Sequence, residues 1–568
     1  MKKLIIAEKP SVAKEIAKVV GASKRGNGFL EGEDALVSWC VGHLVGLQNP
    51  EGYDDKYKFW NLEDLPIFPG TFKRIVFPST KKQFQILKKL MNSKDVGSVV
   101  NACDAGREGE LIFRLVYEEA GCKKPSYRLW ISSMEASAIK DALHNIKPSS
   151  AYDTLYDSAK ARQEADWLIG MNLSRYYTKK KNRKGIFFPV GRVQTPTLAM
   201  IVAREDEIKN FQKQKYYTVE IASDGINLST ERIDHPDEAE GILSRLEENV
   251  QVFDVVEKKK TTKPDLPFDL TTLQRECNKY FGYSAQQTLD LTQALYEKKL
   301  VTYPRTDSRH LTEDMADSVT RDLLSKNSYD PERTKVVFNS AKVTDHHAII
   351  PTASSLQTDL SSLSDSESNV YKLILNKLYA SFGFPLIENT TKVIVNAGGA
   401  EFTCSGKVVE DEGFTKYLKE YKKSGGAVTL PPVRKGDILH VQSKEMKEKY
   451  TSPPSKYTED TLLKAMETAG SDALEEGVEV ERKGIGTPAT RASTIESLVK
   501  RSLVRRDKKS LVPTESGCEL VAFVDHSITS AEMTAEWENE LYKIKEGKES
   551  PAAFQEKIKA TIRNIVSK

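Results

Sequence analysis

The stretch "KKLIIAEKPSVAKEIAKVVG", Lys2 to Gly21, decides the fold of the first part of the chain. Lys2 to Ala7 form a short apolar strand pattern, Pro10 and Ser11 suit a helix start, and the following residues keep a helical period up to a glycine stop. "VGSVVNAC" (Val96 to Cys103) is a second buried-strand pattern, and it leads through an acidic turn into the helix pattern "GELIFRLVYEEAG". Strands alternating with helices predict a parallel sheet covered on both faces. Glu8 lies just past the first strand and Asp104 just past the second, where open parallel sheets bind ligands. Two carboxylates there suit Mg²⁺, which prefers hard oxygen ligands and keeps waters for phosphate oxygens. "DAGREGE" (Asp104 to Glu110) adds Glu108 and two glycines that let backbone approach a ligand closely. An acidic loop at this place is also what a solvated helix N-terminus looks like.

The chain has 568 residues, 39% hydrophobic and 29% charged, with a net charge of +3. Its length predicts about three or four domains. A charge this small leaves any anionic partner to local basic patches. The start "MKKLIIAEKP" does not read as a signal peptide, and no run is long enough to span a bilayer. Six scattered cysteines with no C-x-x-C point to a reducing cytoplasm without a zinc ribbon. The absence of G-x-x-x-x-G-K-[ST] gives no sign of ATP use.

From about Tyr152 to Glu207 the pattern turns helical and carries a basic run, "KKKNRK" (Lys179 to Lys184). Residues 213–262 read as strands. A polar, proline-bearing linker, "KKKTTKPDLP" (Lys258 to Pro267), precedes two helices, "TTLQRECNKYFG" and "SAQQTLDLTQALYEKK". Strands resume after about residue 385 and helices after about Tyr457, so later segments can complete domains begun earlier. The second of the two helices delivers "KKLVTYPRTDSRHL" (Lys298 to Leu311). Pro304 restricts Tyr303 to extended geometry, and in an extended segment Tyr303 and Arg305 share a face. A phenol beside a cation is either a buried structural pair or a nucleophile next to a phosphate clamp.

The pairing of "AEKPS" (Ala7 to Ser11) with "DAGREGE" is similar to the Toprim module. With "GRVQTPTL" (Gly191 to Leu198), "LVTYPRTDS", "DHHAIIPT" (Asp345 to Thr352) and "GIGTPATRASTIE" (Gly484 to Glu496), the chain resembles the type IA DNA topoisomerases, nearest the topoisomerase III branch. The motifs keep the family's order across nearly the whole chain.

The resemblance implies a multidomain fold, α/β plus α plus β, in which a Toprim domain and helical and β domains form a torus. It divides into a Toprim domain (1–150), a discontinuous helical DNA-binding domain (151–212 and 452–568), a discontinuous β hinge domain (213–262 and 386–451) and a helical domain carrying the tyrosine (263–385). Tyr303 would attack single-stranded DNA to give a 5′-phosphotyrosine, without ATP, for relaxation of negative supercoils and decatenation. A free phenol is only about one part in a thousand ionised at neutral pH, so the site must help it lose its proton. Arg305 would do so and neutralise phosphate charge. Lys9 and His346 would contact the scissile phosphate; His347 occupies a position that is often acidic in the family. Glu8 would either protonate the departing 3′-oxygen or hold the metal.

The family usually reads Asp-x-Asp-x-Glu where this chain has Asp104-Ala105-Gly106-Arg107-Glu108. The missing middle carboxylate implies one Mg²⁺ site, held by Glu8 and Asp104 with Glu108 nearby. DNA contacts are expected at Trp60, Arg162, Trp167, Arg175, Pro189, Val190, Gly191, Arg192, Val193, Gln194, Arg305 and Arg491. Of these, Trp167 reads equally as core, and Arg162 with Asp166 as an i,i+4 surface pair. A monomeric, cytoplasmic bacterial enzyme without zinc, cooperating with a helicase and a single-strand-binding protein, completes the implied picture. Two other classes remain: a Toprim nuclease or primase that does not use Tyr303, and a non-catalytic single-strand-binding protein.

Overall fold

The computed structural model describes residues 1–131, 136–182, 187–223, 225–325, 327–343, 346–421, 429–470 and 484–568. The amino-terminal strands are β1 (Lys2–Ala7), β2 (Lys24–Arg25), β3 (Phe29–Glu31), β4 (Ala35–Trp39), β5 (Val45–Leu47), β6 (Arg74–Val76), β7 (Val96–Ala102), β8 (Ser126–Arg128) and β9 (Lys147–Pro148). Seven of them form a sheet of order β2-β3-β4-β1-β7-β8-β9, and β5 pairs with β6 apart from it. The centre is parallel, with β1 between β4 and β7 and Ala7 level with Ala102.

Alternation along β1 explains the two-sided core. Leu4 and Ile6 pack with Phe84, Leu87 and Leu111 on one face, whereas Ile5 and Ala7 pack with Val12, Ile16 and Ile139 on the other. The covering helices are α1 (Pro10–Val19), α2 (Lys81–Met91), α3 (Arg107–Glu119) and α4 (Ala136–His144). Each fully buried aliphatic side chain here contributes roughly 1.5–3 kcal/mol.

Two long helices follow, α5 (Asp153–Lys181) and α6 (Gln194–Lys209). α5 packs Leu168 and Leu173 into a core shared with Trp537, Leu541, Ile558 and Ile562 from the helices Glu532–Lys545 and Pro551–Val566. A second seven-stranded sheet, wholly antiparallel, contains β10 (Lys215–Ser223), β11 (Ile226–Ser229), β12 (Asn249–Thr262), β13 (Leu386–Ala397), β14 (Ala400–Asp411), β15 (Ile438–His440) and β16 (Ser443–Tyr450). It joins strands from both sides of the tyrosine segment. β12 corrects the expected linker: Lys258 to Thr262 are strand, paired in register with Leu386 to Thr390. The two threonines and alternating long side chains suit a pleated ribbon, so only the residues from Lys263 onward connect.

After helix α7 (Pro236–Ser244), α8 (Leu270–Phe281) starts with a capping box of Asp269 and Thr272. α9 (Ala285–Glu297) starts with Ser284 accepting from the Gln287 amide. Leu273, Leu289 and Leu295 pack on Leu373 and Ile374 of the helix Asp365–Ser381. The chain then turns through Lys299 at φ 61 and enters the tyrosine loop. All six cysteines are free. Among the described residues, no helix is long and apolar enough to cross a membrane.

Candidate active site

The sheet topology places Glu8 and Asp104 side by side. Both follow the carboxyl ends of adjacent parallel strands, and Glu8 Oε2 accepts from the Asp104 amide at 3.4 Å. Arg128 fixes the loop from behind, donating to the carbonyls of Cys103 (2.8 Å) and Asp104 (2.6 Å). Gly109 is required by the same loop: a Cβ there would run into the Asp104 carbonyl. This glycine therefore makes room for the chain's own backbone rather than for a ligand.

The acids of "DAGREGE" have three separate fates. Asp104 is bound by Lys9 and, at 3.2 Å, by His346 Nε2. Glu108 is instead bonded to His43 Nε2 at 2.6 Å. Glu110 is fully buried, accepting from Asn101 and Arg114, and serves the core. The expected third metal ligand thus does not join the other two. Among the described residues, no group of three or more His, Cys, Asp or Glu gathers as an ion site.

Tyr303 arrives from the opposite side. Its loop is braced against the 346–352 segment: Thr302 N donates to Ile350 O (2.9 Å), Ile350 N to Thr302 Oγ1 (3.0 Å), and Thr306 Oγ1 to the His346 carbonyl (2.7 Å). These bonds bring the Tyr303 and His346 rings to 4.5 Å between centroids. Lys9 Nζ lies 4.0 Å from the Tyr303 ring centroid, and Tyr296 packs edge-on at 5.3 Å. The Tyr296 hydroxyl also meets Ser11 Oγ of α1 at 3.0 Å. Four segments far apart in sequence therefore meet at Lys9, Asp104, Tyr303 and His346.

Charge follows geometry. Burial raises the Tyr303 phenol above its ordinary range; Lys9 and, less strongly, Arg305 oppose this, while Asp104 reinforces it. Burial and then the Asp104 charge raise Glu8, favouring its protonated form. Burial works against the Asp104 carboxylate, but Lys9 and His346 outweigh it and hold Asp104 well below the usual carboxylate range. Lys9 is pushed up despite its burial, because Asp104 and Glu8 flank it. His347 is held neutral by burial, at about 4. Arg305 is exposed beside the half-buried tyrosine.

Several residues expected at the DNA are buried here against protein partners. Trp167 is core: it packs edge-on against Tyr53 and Phe72, and its indole donates to the Gln48 carbonyl at 2.9 Å. Arg175 is buried and donates to the Tyr57 carbonyl at 2.9 Å, while its guanidinium covers the Trp60 ring at 5.1 Å. Arg491 is buried, bonded to the Ile485 carbonyl and to Thr271 Oγ1. Pro189, Val190 and Arg192 are buried as well, Arg192 against Asp166 (3.0 Å) and Glu538 (3.4 Å). Buried guanidiniums must be paired, so these arginines recruit internal acceptors. Trp60, Gly191, Val193 and Gln194 are half-buried, and Arg162 keeps its Asp166 neighbour at 3.9 Å. Arg183 and Lys184 of the basic run lie outside the described residues.

Sequence reasoning missed His43 and Glu538. His43 follows β4, the other parallel neighbour of β1, so the strand-end rule that found Glu8 and Asp104 could have found it too. Glu538 carried no such signal.

The chain matches the family described as DNA topoisomerase over residues 150–556 and the Toprim domain over residues 3–134. It is 41% identical to DNA topoisomerase 3 of Bacillus licheniformis and 40% identical to that of Bacillus subtilis. Both alignments cover all of this chain, with 82% and 81% of the relatives. The fold resembles full-length topoisomerase I from Thermotoga maritima, with a TM-score of 0.73 at 22% identity over 99% of this chain and 90% of that one.

Proposed function

This chain belongs to the type IA DNA topoisomerases, in the topoisomerase III branch, and on that premise we propose that Tyr303 is the nucleophile of its strand cleavage. The observation that carries this reading is the meeting of Tyr303, Lys9, His346 and Asp104 at one point. The phenol oxygen attacks phosphorus in single-stranded DNA. An O–P bond forms to tyrosine as the P–O3′ bond breaks, leaving a 5′-phosphotyrosine and a 3′-hydroxyl. The phenol gives up its proton and the departing 3′-oxygen gains one. Glu8, whose raised pKa favours a bound proton, is the proposed donor to that oxygen. Lys9 and His346 hold the phosphate, and the charge of Arg305 offsets what develops on its oxygens. Reversal reseals the strand with no nucleotide hydrolysed.

The donor set fits one Mg²⁺: Asp104 and, once it has given its proton to the 3′-oxygen, Glu8 are two adjoining hard carboxylates, and the ion commonly takes one or two. When bound, it would neutralise charge on phosphate oxygens. Trp60, Gly191, Val193, Gln194 and Arg305 would line the strand's approach, the aromatic face stacking on a base. Separation of the Toprim part from the tyrosine part of a toroidal molecule would then pass a second strand. A cytoplasmic monomer working with a helicase and a single-strand-binding protein fits this role.

Negatively supercoiled plasmid tests the reading. With Mg²⁺ and no ATP, the chain is expected to remove supercoils in single linking-number steps, and Tyr303→Phe is expected to remove none. Nicked or linear product from Tyr303→Phe, or protein-free nicked or linear product from the wild type, would contradict it.

A further inference from the structure

One buried charge network lies outside the cleavage point. Glu538, on the helix Glu532–Lys545 that precedes the last one, receives Arg107 at 2.6 Å and Arg192 at 3.4 Å. Arg107 opens α3, three residues after Asp104, and Arg192 stands just before α6. Arg192 is also held by Asp166 of α5, and its guanidinium lies 5.4 Å from the Trp537 ring centroid. Arg107, Arg192 and Glu538 are each at most 9% exposed. One carboxylate therefore ties the acidic loop of the first sheet to the "GRVQ" segment, though the three parts are far apart in sequence.

We propose that Glu538 is a positioning residue for strand cleavage, fixing Arg107 and Arg192 so that the Asp104 loop and the head of α6 keep one geometry toward the bound strand. The proposal rests on the cleavage reading above. Glu538 does not touch the reacting atoms; it acts through the two guanidiniums. A buried carboxylate held by several cations gives a directional anchor that a neutral side chain cannot replace.

The test uses the full chain, labelled single-stranded oligonucleotide and Mg²⁺, reading separately the dissociation constant and the single-turnover rate of covalent adduct formation. Glu538→Gln is expected to lower that rate by about tenfold or more while changing affinity by about threefold or less, since small misplacements near a reacting centre cost rate first. Glu538→Asp is expected to recover part of the loss. In an Arg107→Gln background, Glu538→Gln is expected to add little, because the two act as one unit. A wild-type rate in Glu538→Gln, an effect confined to affinity, no recovery with aspartate, or additive losses would each overturn the proposal. If Glu538→Gln does not fold, the comparison of Arg107→Gln with and without Glu538→Asp decides it: additive losses overturn it, and a shared loss supports it. Wild type that forms no adduct, or Tyr303→Phe that still does, would instead defeat the cleavage reading and leave the Glu538 test without bearing on that failure.

Discussion

Lys9 is the counterion that lets two carboxylates and a phenol share one small volume, lying near Glu8 at 3.6 Å and over the Tyr303 ring at 4.0 Å while bonded to Asp104. Replacing it with methionine keeps the stem and removes the charge. Adduct formation is expected to fall by about a hundredfold, the size seen when one stabilising donor is lost, with oligonucleotide affinity changed far less. Rapid-quench cleavage beside equilibrium binding checks the split. Glu538 makes a different prediction. Burial would raise this carboxylate, but Arg107, Arg162 and Arg192 hold it down from 4.5 to about 2. A depressed carboxylate contributes stability fully above its unfolded pKa and loses it as pH falls through the folded one. The contribution is on the order of 3 kcal/mol, at about 1.4 kcal/mol per pH unit of the gap. Urea midpoints of wild type and Glu538→Gln are therefore expected to differ most above pH 4.5 and to converge toward pH 2.

At the scale of elements, two short loops carry the site. Gly109→Ala would force its Cβ against the Asp104 carbonyl and displace the acidic loop. Its expected signature is a loss of Mg²⁺-dependent cleavage with a thermal midpoint lowered by several degrees, since overpacking against backbone costs about 3 kcal/mol and each kcal/mol is worth about 2–4 °C in a large domain, measured by calorimetry alongside the cleavage assay. The element patterns that sequence makes legible are those with a strict period. β1 and β7 were readable because their apolar runs are short and bounded, and strand ends in a parallel sheet then located Glu8 and Asp104. The tyrosine loop was readable through Pro304. What sequence could not give was exposure. α5 is buried along much of its length, so Trp167 and Arg175 look like a DNA-facing stripe although both face protein. The partners that settle the matter, such as the Gln48 and Tyr57 carbonyls, come from loops whose paths no local pattern records. Lys258 to Thr262 failed as a linker for the related reason that a strand's partner, here β13, lies more than a hundred residues onward.

Across the whole molecule, two interfaces differ in kind. The first sheet is joined to the helical part by buried ion pairs such as Arg107–Glu538 and by α3 packing on α5. Toward the tyrosine segment it presents the site itself: Lys9 at Tyr303, Asp104 at His346 and Ser11 at Tyr296. In the proposed gate the second interface opens. A thiol crosslinker joining Ser11→Cys to Tyr296→Cys, in a chain whose partly exposed Cys404 and Cys518 are changed to serine, is expected to stop plasmid relaxation yet spare oligonucleotide cleavage. Relaxation that survives crosslinking would place the opening elsewhere. The most direct test of the central claim is the bond itself. Labelled single-stranded oligonucleotide, Mg²⁺ and rapid denaturation, followed by peptide mapping, are expected to yield DNA joined through a 5′-phosphate to Tyr303. Cut DNA with free phosphate ends, or an adduct on any other residue, would contradict it.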